Sequence, residues 1–197
     1  DNNLEFVAKF KGNKLCIVAG SSWPEDEALL AEYINQSDKD LKFIIAPHTM
    51  KPARIAALKE QIQRETLLFS EKEGKDLSRY RVLIVDSIGL LGRIYSYADI
   101  ALVGGAVGTT GLHNILEPAT FGVPVITGPN IDRFPEAIAL RSQKGLFTVS
   151  SFSELKTQLD RLIADDSFRR KTGKISADFI RNNTGATKMI INYLQAH

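Results

Sequence analysis

The chain has one cysteine and three histidines in 197 residues, and that scarcity closes off several kinds of chemistry. Cys16 has no partner for an internal disulfide. It lies in the apolar run "KLCIVAG", where a buried, inert thiol in a reducing compartment is expected. His48, His113 and the terminal His197 show no metal-ligand spacing with Cys16, so no metal site and no cofactor are expected. No apolar run reaches the roughly 18 residues needed to span a bilayer, and no signal-peptide pattern is present. The chain opens "DNNLEF" without methionine, so it is expected to be a piece of a longer polypeptide.

Charge of one sign is also lacking. The net charge is +2, from 25 Lys and Arg against 23 Asp and Glu, and a nucleic-acid partner is not expected. The distribution is uneven: residues 141–197 carry 10 basic against 5 acidic residues, a balance of +5 that leaves −3 on the first 140. A solvated helical face is the commoner cause of such a bias. Contact with an anionic partner or an anionic membrane surface is the sharper reading, and both stay open here.

Short continuous runs rich in Val, Ile and Leu recur at 14–20, 41–47, 66–70, 81–87, 98–105, 123–129 and 145–149. Continuous rather than alternating apolar character suits strands covered on both faces. Between them Ile55, Leu58 and Ile62, and later Leu155, Leu159 and Leu162, repeat at helical spacing. The alternation predicts an α/β fold: a Rossmann-like parallel sheet with helices on both faces. Residues 1–150 are expected to form that domain. Residues 151–197 are expected to form a helical tail on it, with helices at 151–164, 166–182 and 185–195 separated at Asn182, Asn183 and Gly185.

Ligands of open parallel sheets bind outside the carboxyl ends of the strands. Those ends read "AGSSWPEDE", "APHTMK", "VDSIGLL", "VGGAVGTTGLHN" and "ITGPNIDRFPE". The fourth packs Gly104, Gly105, Gly108 and Gly111 into eight positions. The helix after it must start near Asn114, because Pro118 is tolerated only in a first turn. Glycines admit a ligand close to the backbone, and the free amides and dipole of a helix start favour phosphate. Asn114 and Glu117 have the spacing of a capping box, which would use Glu117 structurally. Equally, a carboxylate can accept from two vicinal hydroxyls, as on a ribose. Ser21 or Ser22 could cap the helix opened by Pro24 and Glu25, or hold an anionic group. Trp23 is either a lid on the core or a stacking surface.

Other signals fail. "DKD" at 38–40 sits in a polar connection ahead of a strand, the glycines run G-G-x-x-G-x-x-G rather than G-x-G-x-x-G, and no G-x-S-x-G nucleophile occurs. No catalytic residue is assigned.

The run H-N-x-L-E-P-A-x-F-G-V-P-V-x-x-G-P, His113 to Pro129, resembles the carboxyl-terminal half of the 3-deoxy-D-manno-octulosonic acid (Kdo) transferases, which are GT-B glycosyltransferases. "AGSSWPEDE" is similar to that family's G-S-T-W-x-x-E-E turn, and "VDSIGLLGRIYSYADIALVGG" to its D-T-x-G-E-L…Y-x-x-A-D-x-A-x-V-G-G segment. The likeness runs from about Lys14 to Arg141. Two departures stand out: "PHTMKPARI" replaces the common P-R-H-P-E-R-F, leaving His48 and Arg54 without a clear counterpart, and Leu90 stands where glutamate is common.

The resemblance implies the second half of a GT-B fold binding CMP-Kdo, in an inverting, metal-independent transferase that adds Kdo to a lipid A precursor at the cytoplasmic face of the inner membrane. Glu117 would hold the ribose, and Gly104, Gly105, Gly111, His113 and the loop into Asn114 would meet the phosphate. Ser21, Ser22 and Trp23 would line the cleft beside Pro47 and His48, with Asp86, Ser87 and Gly89 near the cytosine. The acceptor's base would lie in a first domain outside this chain, leaving the chain inactive alone. Another GT-B enzyme using a UDP-sugar, a transferase or a 2-epimerase, is the rival expectation; a non-catalytic nucleotide-binding module is the third.

Overall fold

Each of the seven apolar runs becomes a strand. In the computed structural model, which describes residues 2–195 and side chains through residue 183, the strands are β1 (Leu15–Ser22), β2 (Leu41–Pro47), β3 (Thr66–Leu68), β4 (Val82–Ile84), β5 (Ile100–Val103), β6 (Val125–Thr127) and β7 (Leu146–Thr148). All pair in parallel, in the order β3-β4-β2-β1-β5-β6-β7. The first strand therefore lies in the middle of the sheet; β2 adds beside it, β3 takes the edge, β4 fills the place between them, and the chain returns to lay β5 on the other side of β1. That reversal puts a topological switch point between β1 and β5, where the exits of the two strands diverge and leave a crevice.

The helices are α1 (Glu5–Lys11), α2 (Pro24–Gln36), α3 (Pro52–Gln61), α4 (Leu91–Ile94), α5 (Leu116–Thr120), α6 (Pro135–Ser142), α7 (Phe152–Ala164) and α8 (Asp166–Gln195). Alternate strand residues serve opposite faces. Ile17, Ala19, Phe43 and Ile45 meet α2, α3 and α7 on one side, while Cys16, Val18, Ile44 and Ala46 meet α1 and the α4 segment on the other. A third cluster packs Val103 and Val125 against α5, α6 and Phe179 of α8. Ile55, Leu58, Leu155, Leu159 and Leu162 all point into the core, as their spacing predicts.

Three features differ from the sequence expectation. Residues 5–11 form α1, whose Val7 and Phe10 are fully buried. The expected break at Asn182, Asn183 and Gly185 is absent, and α8 runs through it. Asn183 donates to the Phe179 carbonyl at 2.8 Å, a local bond that a helix accommodates, and one interior glycine costs only about 1 kcal/mol. Finally, α5 has five residues and starts after Ile115, not at Asn114. Among the described residues no helix is long and apolar enough to cross a membrane; His197 lies outside them. Cys16 is completely buried, and that burial pushes its thiol up to about 12, which makes it unreactive.

Candidate functional site

At the exit of β1 the backbone leaves the regular ladder. The register slips between Gly20 and Ser22, and Ser21 takes a positive φ of 51°. The expected cap by Ser21 or Ser22 does not form. Trp23 is the cap residue, and its amide donates to the carboxylate of Asp26, the third residue of α2, at 2.9 Å. The Ser22 hydroxyl turns away and donates to buried Glu27 at 3.0 Å. Glu27 is in turn ion-paired with Arg54 at 2.9 Å. Burial pushes the Glu27 carboxyl upward, against the pull of Ser22 and Arg54.

Asp26 also reaches the glycine loop after β5. The Gly105 amide donates to the same carboxylate oxygen at 2.9 Å, so one side chain ties the start of α2 to the exit of β5 across the switch point. Desolvation raises the Asp26 pKa despite the bonds from Gly105 and Trp23. The Gly104 amide bonds the Gly20 carbonyl at 3.0 Å. Both amides that the sequence assigned to a phosphate are therefore engaged within the protein, because these glycines dock β5 onto β1. A Cβ on Gly104 would lie 2.3 Å from the Ser21 carbonyl oxygen, and one on Gly105, at φ +97°, would lie 1.9 Å from that of Gly111. The helix-start contribution also shrinks, since five-residue α5 carries little of a helix dipole. What faces outward is the stretch beyond, through exposed Thr109 and Thr110 to exposed Asn114.

Asn114 and Glu117 do not form the reciprocal box. Asn114 Oδ1 accepts from the Leu116 amide at 3.0 Å, and its Nδ2 donates to Glu117 Oε1 at a long 3.4 Å. Glu117 is exposed. Its other oxygen faces Gly92, where a Cβ would come within 3.9 Å, and its charge reaches the buried Tyr95 hydroxyl, helping burial to raise that group's pKa.

Trp23, His48 and His113 come together as three rings. Trp23 stacks on His48 with centroids 4.5 Å apart, and His48 meets His113 at 4.5 Å. Trp23 Nε1 donates to His113 Nε2 at 3.1 Å. Burial and the neighbouring His48 lower the His113 pKa, which keeps Nε2 free to accept. Trp23 is thus half-buried and stacked within this ring cluster, outside the three apolar cores. Pro47 ends β2 next to Ser22. Exposed Gly89 turns at φ +86°, two residues after half-buried Ser87. Asp86 is turned to β3's exit, accepting from Ser70 N at 2.9 Å and Ser70 Oγ at 2.5 Å. Its carboxylate ties the exit of β4 to the exit of β3 in a half-buried position.

Sequence reasoning singled out neither Asp26 nor Glu27 as a site residue and left Arg54 without a role. Asp26 was within reach, because a carboxylate three residues after a helix cap is the signature of a capping box. The Glu27–Arg54 pair joins two helices and has no local signal. No three metal-ligating side chains cluster among the described residues.

A parallel sheet crossed over at its centre, with its cleft at the β1/β5 switch, is the architecture of the second half of a GT-B glycosyltransferase. The chain superposes on the C-terminal CMP-Kdo binding domain of WaaA from Acinetobacter baumannii with a TM-score of 0.75, at 22% identity over 90% of this chain and 99% of that one. It also superposes on Anabaena Alr3699/HepE in complex with UDP, with a TM-score of 0.68 at 14% identity, covering 99% of this chain and 54% of that one. In sequence the chain is a relative of the 3-deoxy-D-manno-octulosonic acid transferases. It is 34% identical over 171 residues to the transferase of Aquifex aeolicus and 29% identical over 174 residues to that of Haemophilus influenzae. These matches take in 82% and 86% of the chain but only 47% and 39% of the relatives' own length. No family model matches.

Proposed function

We propose that this chain is the donor-binding domain of a Kdo transferase and that it holds the CMP moiety of CMP-Kdo in the crevice between β1 and β5. The observation that carries the reading is Glu117: an exposed carboxylate at the switch point, loosely held by Asn114, in a chain related to Kdo transferases. A carboxylate so placed can accept from both hydroxyls of a ribose. The Ser87–Gly89 turn lines the side on which the base would lie. The phosphate falls to the outward stretch between Thr109 and Asn114, and the rings of Trp23, His48 and His113 close the opposite wall, with Ser21 and Pro47 behind them.

The chemistry asked of this domain is modest. It binds the donor, orients the anomeric carbon, and stabilises CMP as it leaves with the bonding electrons. A base on the acceptor side of the cleft takes the proton of the attacking hydroxyl, giving an inverting displacement without a covalent enzyme intermediate. We assign the acceptor, a lipid A precursor, and that base to the remainder of a full-length transferase working at the cytoplasmic face of the inner membrane, with the basic tail near anionic lipid. The 197-residue chain alone is therefore expected to bind donor and to transfer no sugar. Robust Kdo transfer by this polypeptide would contradict that assignment.

Titration with CMP and with UDP, read by Trp23 fluorescence, tests the donor. CMP is expected to bind more tightly. Preference for UDP would favour a UDP-sugar enzyme, the reading that the likeness to the UDP-bound Anabaena fold keeps in view.

A further inference from the structure

A tryptophan indole has one hydrogen to donate and no in-plane lone pair with which to accept. The 3.1 Å contact between Trp23 Nε1 and His113 Nε2 therefore has a single polarity: Nε2 accepts, and the ring proton of a neutral His113 sits on Nδ1. The two ring planes stand 18° apart, which suits the in-plane lone pair of Nε2. An imidazolium carries a proton on both nitrogens and would turn N–H against N–H, so the contact also demands a neutral ring. The surroundings favour one, since burial and the adjacent His48 ring lower the His113 pKa. The orientation of the ring follows from its other neighbour. A Cβ on Gly105 would lie 3.2 Å from His113 Cδ2, so the Cδ2–Nε2 edge is turned toward the glycine loop and Trp23. Nδ1 is on the opposite edge of a half-buried ring, and among the described residues it has no hydrogen-bond partner.

We propose that Trp23 is a positioning residue: it fixes His113 as the neutral Nδ1–H tautomer, whose N–H donates to an oxygen of the leaving phosphate. The inference rests on the donor-binding reading above and adds to it how a ring of the crevice wall acts on the departing group. His113 directly precedes Asn114, at the end of the outward stretch to which the phosphate is assigned. Its backbone is pinned there by the bond from its amide to the Gly104 carbonyl at 3.2 Å. As the anomeric C–O bond breaks, the bonding pair stays on the phosphate oxygen, and the phosphate of CMP passes from one negative charge to two. A hydrogen bond from Nδ1–H stabilises that added charge. No proton moves, because a neutral imidazole is far too weak an acid to protonate a phosphate. A histidine without Trp23 would favour the Nε2–H form, leaving a bare Nδ1 lone pair toward the anion. Trp23 prevents this by occupying Nε2, since the bond made by one ring nitrogen sets which of the two carries the proton.

Two measurements on the whole chain test this. Without ligand and above neutral pH, two-bond proton–nitrogen correlation spectra show which nitrogen of each histidine is protonated, and His113→Asn identifies the His113 signal. His113 is expected in the Nδ1–H form, and Trp23→Phe is expected to move it to the Nε2–H form that free histidine prefers. An Nε2–H ring in the unaltered chain, or an Nδ1–H ring that survives Trp23→Phe, would overturn the positioning role. The second measurement is calorimetry with CMP. His113→Phe should weaken CMP about tenfold, about 1.4 kcal/mol. In His113→Asn the amide nitrogen can stand where Nδ1 stands, so affinity should stay within about threefold of the unaltered chain. In His113→Gln the amide reaches the Nε2 position instead, and the loss of about tenfold should remain. Equal losses with Asn and Gln, or none with Phe, would overturn the contact with phosphate. Failure of CMP to bind the unaltered chain would instead overturn the donor-site reading itself, an outcome that the ligand-free spectra keep distinct from failure of the Trp23 role.

Discussion

Glu117 Oε1 receives a single 3.4 Å hydrogen bond from a neighbouring side chain, and the carboxylate stays exposed. Removing its charge should therefore cost the fold little and the ligand much. Glu117→Gln is expected to leave Tm within about 2 °C, as for an exposed site, while weakening CMP at least tenfold, about 1.4 kcal/mol. Unchanged CMP affinity would remove Glu117 from the site. Gly105 behaves in the opposite way. At φ +97° and with a Cβ position 1.9 Å from the Gly111 oxygen, Gly105→Ala is expected to destabilise by more than about 2 kcal/mol in urea unfolding, through strain and clash together. His113 accepts from Trp23 only while Nε2 is unprotonated. Because burial lowers its pKa from 6.5, the stability due to that bond is present above pH 6.5 and is lost as pH falls through the lower, folded-state value. Trp23 fluorescence should titrate with a midpoint below 6.5, and His113→Phe should abolish the transition. At this scale the sequence singled out Glu117, Gly105 and the three rings as candidates, without their geometry. Whether Glu117 was tied into a helix cap depended on where α5 starts, a one-residue difference that spacing cannot decide.

The elements were more legible. All seven strands could be read from continuous Val, Ile and Leu runs because a doubly covered sheet leaves no polar side to interrupt them. α1 was not, since seven residues with two buried side chains carry too little periodicity to stand out. The expected break in α8 came from weighing Asn and Gly as stop signals, whereas a helix docked on α5 and α7 tolerates them. One tertiary tie between elements has no sequence signature. Asp160 of α7 accepts from Tyr33 of α2 at 2.8 Å and from Lys39 and Lys156 at 2.5 Å each. Burial alone would raise its pKa, but the bonds from Lys156, Lys39 and Tyr33 outweigh it and hold the group at about 2, below the ordinary 3.8. The stabilisation is present above pH 3.8 and fades as pH drops toward 2. With a side chain 30% exposed, solvent screens much of it. Asp160→Asn at neutral pH is expected to cost about 1 kcal/mol, or roughly 2–4 °C in Tm for a chain of this size. The variant should also lose part of the acid sensitivity between pH 4 and 2. An unchanged acid unfolding curve would show that α2 and α7 are held by their apolar contacts alone.

For the whole molecule, topology sets where the chemistry can lie. Beginning at the central strand and reversing at β5 creates the crevice; Asp26 fixes its two lips by bonding Trp23 and Gly105 at once. That crevice leaves outward an acidic side chain on one wall and stacked rings on the other. The relatives are more than twice as long as the stretch matched here. The most direct test is a crystal of the chain soaked with CMP. The account predicts the nucleotide between the β1 and β5 exits, with both ribose hydroxyls within hydrogen-bond distance of the Glu117 carboxylate. An empty crevice, or CMP bound elsewhere with Glu117 untouched, would contradict it.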